Sequence, residues 1–166
     1  DNRQMDVVDQ LMPTLSTYPL YPHLQYRQIT DDLMNQPALV VKNFIDANPT
    51  LPPARSLRSR FVNELARRSD WRGLLAFSPD KPTSTEAQCN YYYAKLSVGQ
   101  SQEAWSGAKE LWLTGKNQPG ACEPLFSAWR DSGQQDPLAY LERIRLAMKA
   151  GNIGLVKSLA QQMPAN

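Results

Sequence analysis

The stretch Phe61–Pro82, FVNELARRSDWRGLLAFSPDKP, decides the fold. Phe61 and Leu65 continue a stripe that begins at Leu57, apolar at i, i+4 and i+8 and therefore on one face of a helix. Ser69-Asp70 is a tight polar turn. Trp71, Leu74, Leu75 and Phe77 form a second, short apolar helix, and the chain then halts in the loop SPDKPTST at 78–85. Helix, polar turn, helix, proline is the unit. Working outward, similar turns fall at Asp1-Asn2, Asn35-Gln36, Gly99-Gln100 and Gly151-Asn152, separated by about 34, 34, 30 and 52 residues. Most are followed by a short apolar helix ending near a proline: Pro19, Pro49, Pro79 and Pro164. A period near 34 marks stacked helical hairpins, because one hairpin cannot bury its apolar face alone. The expected fold is all-α, an open right-handed superhelical stack of hairpins (a TPR-like α-solenoid) with no sheet.

The remaining helices follow from the same signals. Residues 3–15 carry Met5, Val8 and Met12 at helical spacing, and 22–34 carry Leu24, Ile29 and Leu33. Pro37 suits the first turn of a helix holding Leu39, Val40, Phe44 and Ile45, and Pro52-Pro53 opens a long helix to Arg68. Thr85 is the expected cap of a helix with Ala87, Tyr91, Ala94 and Val98, stopped by Gly99. Ser101 and Glu103 open the next, through Ala104, Ala108, Leu111 and Trp112. An extra helix at 121–132 accounts for the 52-residue gap. Asp136-Pro137 then starts a helix whose stripe is read as Leu138, Leu141, Ile144 and Met148, ending at Gly151.

Composition excludes several functions. The 166 residues suffice for one domain with a core, and the hydrophobic content of 42% with 20% charged residues is that of a globular chain. A net charge of +2 gives no global signal for nucleic acid or a membrane surface. No apolar run approaches the roughly 20 residues of a membrane span. No signal peptide is present and residue 1 is Asp, so the expectation is a chain that starts after a cleavage or is a piece cut from something longer.

Residues with reactive chemistry are sparse. His23 is the single histidine and cannot build a zinc site by itself. There is no glycine-rich phosphate loop and no G-x-S-x-G turn. Asp31-Asp32 are neighbours on a helix, so their carboxylates diverge and read as a solvated face. No catalytic residue, metal ligand or cofactor follows from the sequence. Arg55, Arg58, Arg60, Arg67, Arg68 and Arg72, opposed only by Glu64 and Asp70, give a strip of net charge about +4. Such a strip meets an anionic polymer or acidic partner, or is a solvated face whose stems cover apolar surface. Tyr91, Tyr92, Tyr93, Trp105, Trp112 and Trp129 read as filling between hairpins in preference to a sugar-stacking platform. Cys89 and Cys122, 33 residues apart, match neither a redox motif nor a metal clasp; a disulfide and two separate buried thiols stand equal.

Four runs carry a resemblance: YRQITDDLMNQPA (26–38), FVNELARRSDWRGLLAFSPDKP (61–82), TEAQCNYYYAKL (85–96) and DPLAYLERIRLAMKAGN (136–152). Together they resemble the large soluble lytic murein transglycosylases of Gram-negative bacteria, and the likeness extends over all 166 residues, to the amino-terminal portion of that family. The resemblance implies that residues 1–166 are part of a single, U-shaped α-superhelical domain. In the family this closes into a ring with a linker domain, and a carboxy-terminal lysozyme-like domain cleaves the MurNAc–GlcNAc β-1,4 bond without water, leaving a 1,6-anhydro sugar. The family's catalytic glutamate stands in a Glu-Ser context followed by Gly-Leu-Met-Gln. Neither string occurs here; the nearest text, Leu33-Met34-Asn35-Gln36, is a different sequence. The resemblance therefore implies a non-catalytic piece of a periplasmic enzyme. Its partners are the remaining domains and, through the parent, glycan strands; nucleic acid and a membrane span are not expected. It also implies that Cys89 and Cys122 are paired, since the periplasm supports disulfides. The alternative from fold alone is a free-standing α-solenoid that binds a protein in its groove.

Overall fold

The computed structural model describes residues 2–163, and the side chains of 2–5, 8 and 15 are outside the description. The expected turn residue Asp1, the stripe residues Met5 and Val8, and Pro164 therefore lie outside the described residues. Among those described there are ten α-helices, three short 3₁₀ turns and no strand.

The first compact unit comprises residues 1–64. Here α1 (Asn2–Leu11) ends at a 3₁₀ turn over Met12–Leu15 and does not run to residue 15 as a single helix. Pro13 is the reason: it has no N–H to donate and its ring crowds the preceding turn. Helix α2 (Tyr21–Asp31) stops short of residue 34, where Leu33–Asn35 tightens into a second 3₁₀ turn. Helix α3 (Ala38–Ala47) follows Pro37, which is extended at φ −65°, ψ 142° and so precedes the helix instead of sitting in its first turn. Helix α4 (Pro52–Arg67) begins on the paired prolines. The unit's core is Met12, Ile29, Val41, Phe44, Ile45, Ala54, Leu57, Phe61 and Val62, all buried.

The second unit, residues 65–166, contains α5 (Trp71–Phe77), α6 (Thr85–Ser97), α7 (Ser101–Trp112), α8 (Glu123–Asp131), α9 (Pro137–Lys149) and α10 (Ile153–Gln162). Three of its turns repeat one geometry. Ser69, Gly99 and Gly151 take positive φ (56°, 90° and 73°). The following N–H of Asp70, Gln100 and Asn152 reaches back to the carbonyl of Leu65, Lys95 and Ala147 at 2.9, 2.8 and 2.9 Å. This six-to-one closure satisfies a carbonyl left over by the ending helix. The next helix begins one residue later in each case. Asp70 and Asn152 also accept the N–H of Gly73 and Leu155 through their side chains, so each both ends one helix and caps the next. Ser84, not Thr85, caps α6, accepting from the Ala87 N–H at 3.2 Å.

The turns produce the pairs α6 on α7 and α9 on α10; α5 packs on α6, and α8 bridges α6 and α7. Gly107 permits the α6–α7 approach, because a Cβ there would fall 2.3 Å from the Tyr92 ring. The extra helix between α7 and α9 is present, preceded by a 3₁₀ turn over Gly120–Cys122. Helix α9 departs from the sequence reading. Leu138, Leu141 and Met148 are 65%, 50% and 62% exposed, while Ala139, Tyr140, Arg143 and Ala147 are buried. The small alanines bring the backbone of α9 close to its neighbours, and the leucine stripe faces out.

Candidate functional site

Arg55, Arg58 and Arg60 belong to the first unit and are exposed; Arg67, Arg68 and Arg72 belong to the second. At about 100° per residue, Arg55 and Arg58 share a face of α4, whereas Arg60 stands roughly 140° around from Arg55. Its Nη1 donates to the Tyr26 hydroxyl at 2.9 Å, tying α4 to α2. His23 is exposed on α2. Among the described residues, no three His, Cys, Asp or Glu side chains converge to hold a metal, and no helix is long and apolar enough to cross a membrane.

Most of the aromatics fill the second unit's core. The Tyr91 hydroxyl donates to the Pro79 carbonyl at 3.1 Å, and Tyr93 meets Trp71 edge-on at 5.0 Å between ring centres. Trp112 is the hub: Phe126, Trp129 and Tyr140 approach it edge-on at 5.1, 6.3 and 5.0 Å, and its Nε1–H donates to the Ala139 carbonyl at 3.0 Å. Tyr92 and Trp105 are half-buried against the same cluster. Cys89 of α6 and Cys122 at the entry to α8 are joined in a disulfide, with both sulfurs inside this core and their Cα atoms 4.9 Å apart.

Sequence reading missed Arg143. Its guanidinium lies over the Trp112 ring at 4.3 Å from the centroid and 5.8 Å from that of Phe126. Burial lowers its pKa from the ordinary guanidinium value; Glu123 and the Tyr140 phenol oppose that shift. Leaving water costs a cation dearly unless something replaces hydration, and here the aromatic faces supply part of the replacement. The signal was available in Ala139-x-x-x-Arg143-x-x-x-Ala147, small residues one helical turn apart on either side of the arginine. The leucine stripe concealed it. The loop 113–119 closes over this corner. Asn152 Nδ2 donates to the Gly115 carbonyl at 3.2 Å and to Asn117 Oδ1 at 2.8 Å, and Arg143 Nη2 donates to the Lys116 carbonyl at 3.3 Å. A Cβ on Gly115 would lie 2.4 Å from the Leu146 carbonyl oxygen, so the loop rests directly on α9.

The class defined by this architecture is an α-helical hairpin stack. The particular kinship is specific: along its whole length the chain is homologous to the amino-terminal region of the soluble lytic murein transglycosylases. It is 79% identical over 166 residues to the soluble lytic murein transglycosylase of Escherichia coli K12, and 77% identical over 165 residues to that of Salmonella typhimurium LT2. The chain spans about a quarter, 26%, of the length of each. No protein-family model matches it. The crystal structure of the 70-kDa soluble lytic transglycosylase of Escherichia coli superposes with a TM-score of 0.95, covering 99% of this chain and 26% of that one. A complex of the 70-kDa soluble lytic transglycosylase with bulgecin A also superposes with a TM-score of 0.95, covering 99% of this chain and 27% of that one. An inactive mutant of lytic transglycosylase Slt from Pseudomonas aeruginosa, 34% identical, superposes with a TM-score of 0.85 over 94% of this chain and 25% of its own.

Proposed function

We propose that this chain is a non-catalytic helical scaffold within a periplasmic lytic transglycosylase, an enzyme that cleaves the MurNAc–GlcNAc β-1,4 bond of peptidoglycan to give 1,6-anhydro-muropeptides. The observation that carries the reading is the 79% identity over all 166 residues to about a quarter of such an enzyme. Chemistry agrees with it. Cleavage needs a carboxylic acid held in an apolar cleft so that it can protonate the leaving oxygen. Glu103, Glu123 and Asp136 are exposed, and Glu142 is occupied by Arg145 at 2.6 Å on the surface of α9. The chain's contribution is positional: a segment of a single α-superhelical domain that places other domains around the glycan. The test is the coding sequence downstream of residue 166. A lysozyme-like domain with the Glu-Ser and Gly-Leu-Met-Gln strings is expected; a stop codon without one would favour the free-standing protein-binding solenoid.

Contact with the anionic polymer falls to Arg55 and Arg58, which share an exposed face of α4. Replacing both with alanine is expected to weaken co-sedimentation of the chain with murein sacculi at low salt. Undiminished co-sedimentation would remove the arginines from the reading.

A further inference from the structure

Arg143 is only 4% exposed, yet it lines an open cavity of about 210 Å³ bounded by the end of α7, the loop after it, α8, α9 and α10. Of its five N–H donors, one reaches a protein acceptor: Nη2 donates to the Lys116 carbonyl at a long 3.3 Å. Nε is buried with no partner, and no carboxylate among the described residues forms a salt bridge with the guanidinium. A buried guanidinium with unused donors beside a cavity is half of a recognition pair.

We propose that this cavity binds the free carboxylate of an amino acid or short peptide, with Arg143 as the anion-recognising residue. The planar fork of a guanidinium matches a carboxylate, and the Trp112 ring, 4.3 Å from the guanidinium carbon, backs it. The ligand class follows from the other walls. Phe126 and Leu159 are apolar and take a small aliphatic side chain. Glu123, also lining the cavity, is held only loosely by Arg130 at 3.6 Å and keeps 70% of its side chain exposed. It offers an acceptor to an ammonium group and repels a compact dianion such as phosphate. Ser158 on α10 can pair with a peptide group between the two charges. At roughly 30 Å³ per water in the liquid, the cavity holds about seven waters, or one dipeptide. The site is distinct from the scaffold role and does not depend on it.

The test is NMR titration of the ¹⁵N-labelled 166-residue chain with L-alanyl-L-alanine, with its C-terminal amide, and with inorganic phosphate. Saturable shifts confined to residues around the cavity are expected with the dipeptide, with at least tenfold weaker binding of the amide and of phosphate. Arg143→Met is expected to weaken dipeptide binding at least tenfold and Arg143→Lys less. Should Arg143→Met lose its helical circular dichroism, the exposed Glu123→Gln serves instead. It is expected to weaken the dipeptide several-fold and leave N-acetyl-dipeptide binding unchanged. Absence of saturable shifts with the dipeptide, equal binding of the amide or of phosphate, or a Glu123→Gln variant that binds both peptides as wild type does, would each overturn the proposal.

Discussion

Single residues do most to fix the second unit. The Cys89–Cys122 bridge spans 33 residues and joins α6 to the start of α8, so it holds the inserted helix against the Trp112 cluster. In the chain-entropy model, closing a loop of that length stabilises by about 3–4 kcal/mol. That is a large share of a domain's typical total of about 5–15 kcal/mol. Cys89→Ala/Cys122→Ala is expected to lower Tm by roughly 10 °C, given about 2–4 °C per kcal/mol for a chain of this size; unchanged calorimetric melting would contradict a stabilising bridge. Residue spacing alone left the two cysteines undecided, because a separation of 33 residues says nothing about where two helices meet. The family resemblance pointed to the pair. Turn chemistry was more legible: Asp70, Gly99 and Gly151 have local reasons to end or cap a helix, and those reasons operate before any tertiary contact forms.

At the scale of elements, helix existence was legible and helix orientation only in part. Prolines and polar turns divide the chain at points readable by eye, and the stripe Leu57, Phe61, Leu65 of α4 is buried as its spacing requires. Helix α9 shows the limit. Its leucines and its alanines both recur at helical spacing, on different faces, and hydrophobicity favours the leucines. Close packing against α7 and α10 selects the alanines instead, because two backbones approach only where side chains are small. Arg143 comes inward with that choice. Two substitutions separate the faces. Leu141→Gln, on the exposed face, is expected to change stability by no more than about 0.5 kcal/mol. Ala147→Leu, at a fully buried position, is expected to cost about 1–3 kcal/mol through overpacking. Chemical denaturation of the two variants measures both, and the reverse order would put the leucine stripe in the core.

At the scale of the whole molecule, the chain consists of two helical units with cores of their own. The buried interior of the second unit is spent on aromatic packing and a disulfide, and its acids lie on surfaces or cap helices. Its sequence follows a quarter of the length of a murein-cleaving enzyme at 79% identity. The central claim is that this chain supports such cleavage and does not perform it. The most direct measurement incubates the purified 166-residue chain with murein sacculi, beside the full-length Escherichia coli soluble lytic murein transglycosylase, and reads the soluble products by mass spectrometry. The account predicts 1,6-anhydro-muropeptides from the full-length enzyme and none above the blank from the chain; anhydro-muropeptides released by the chain alone would contradict it.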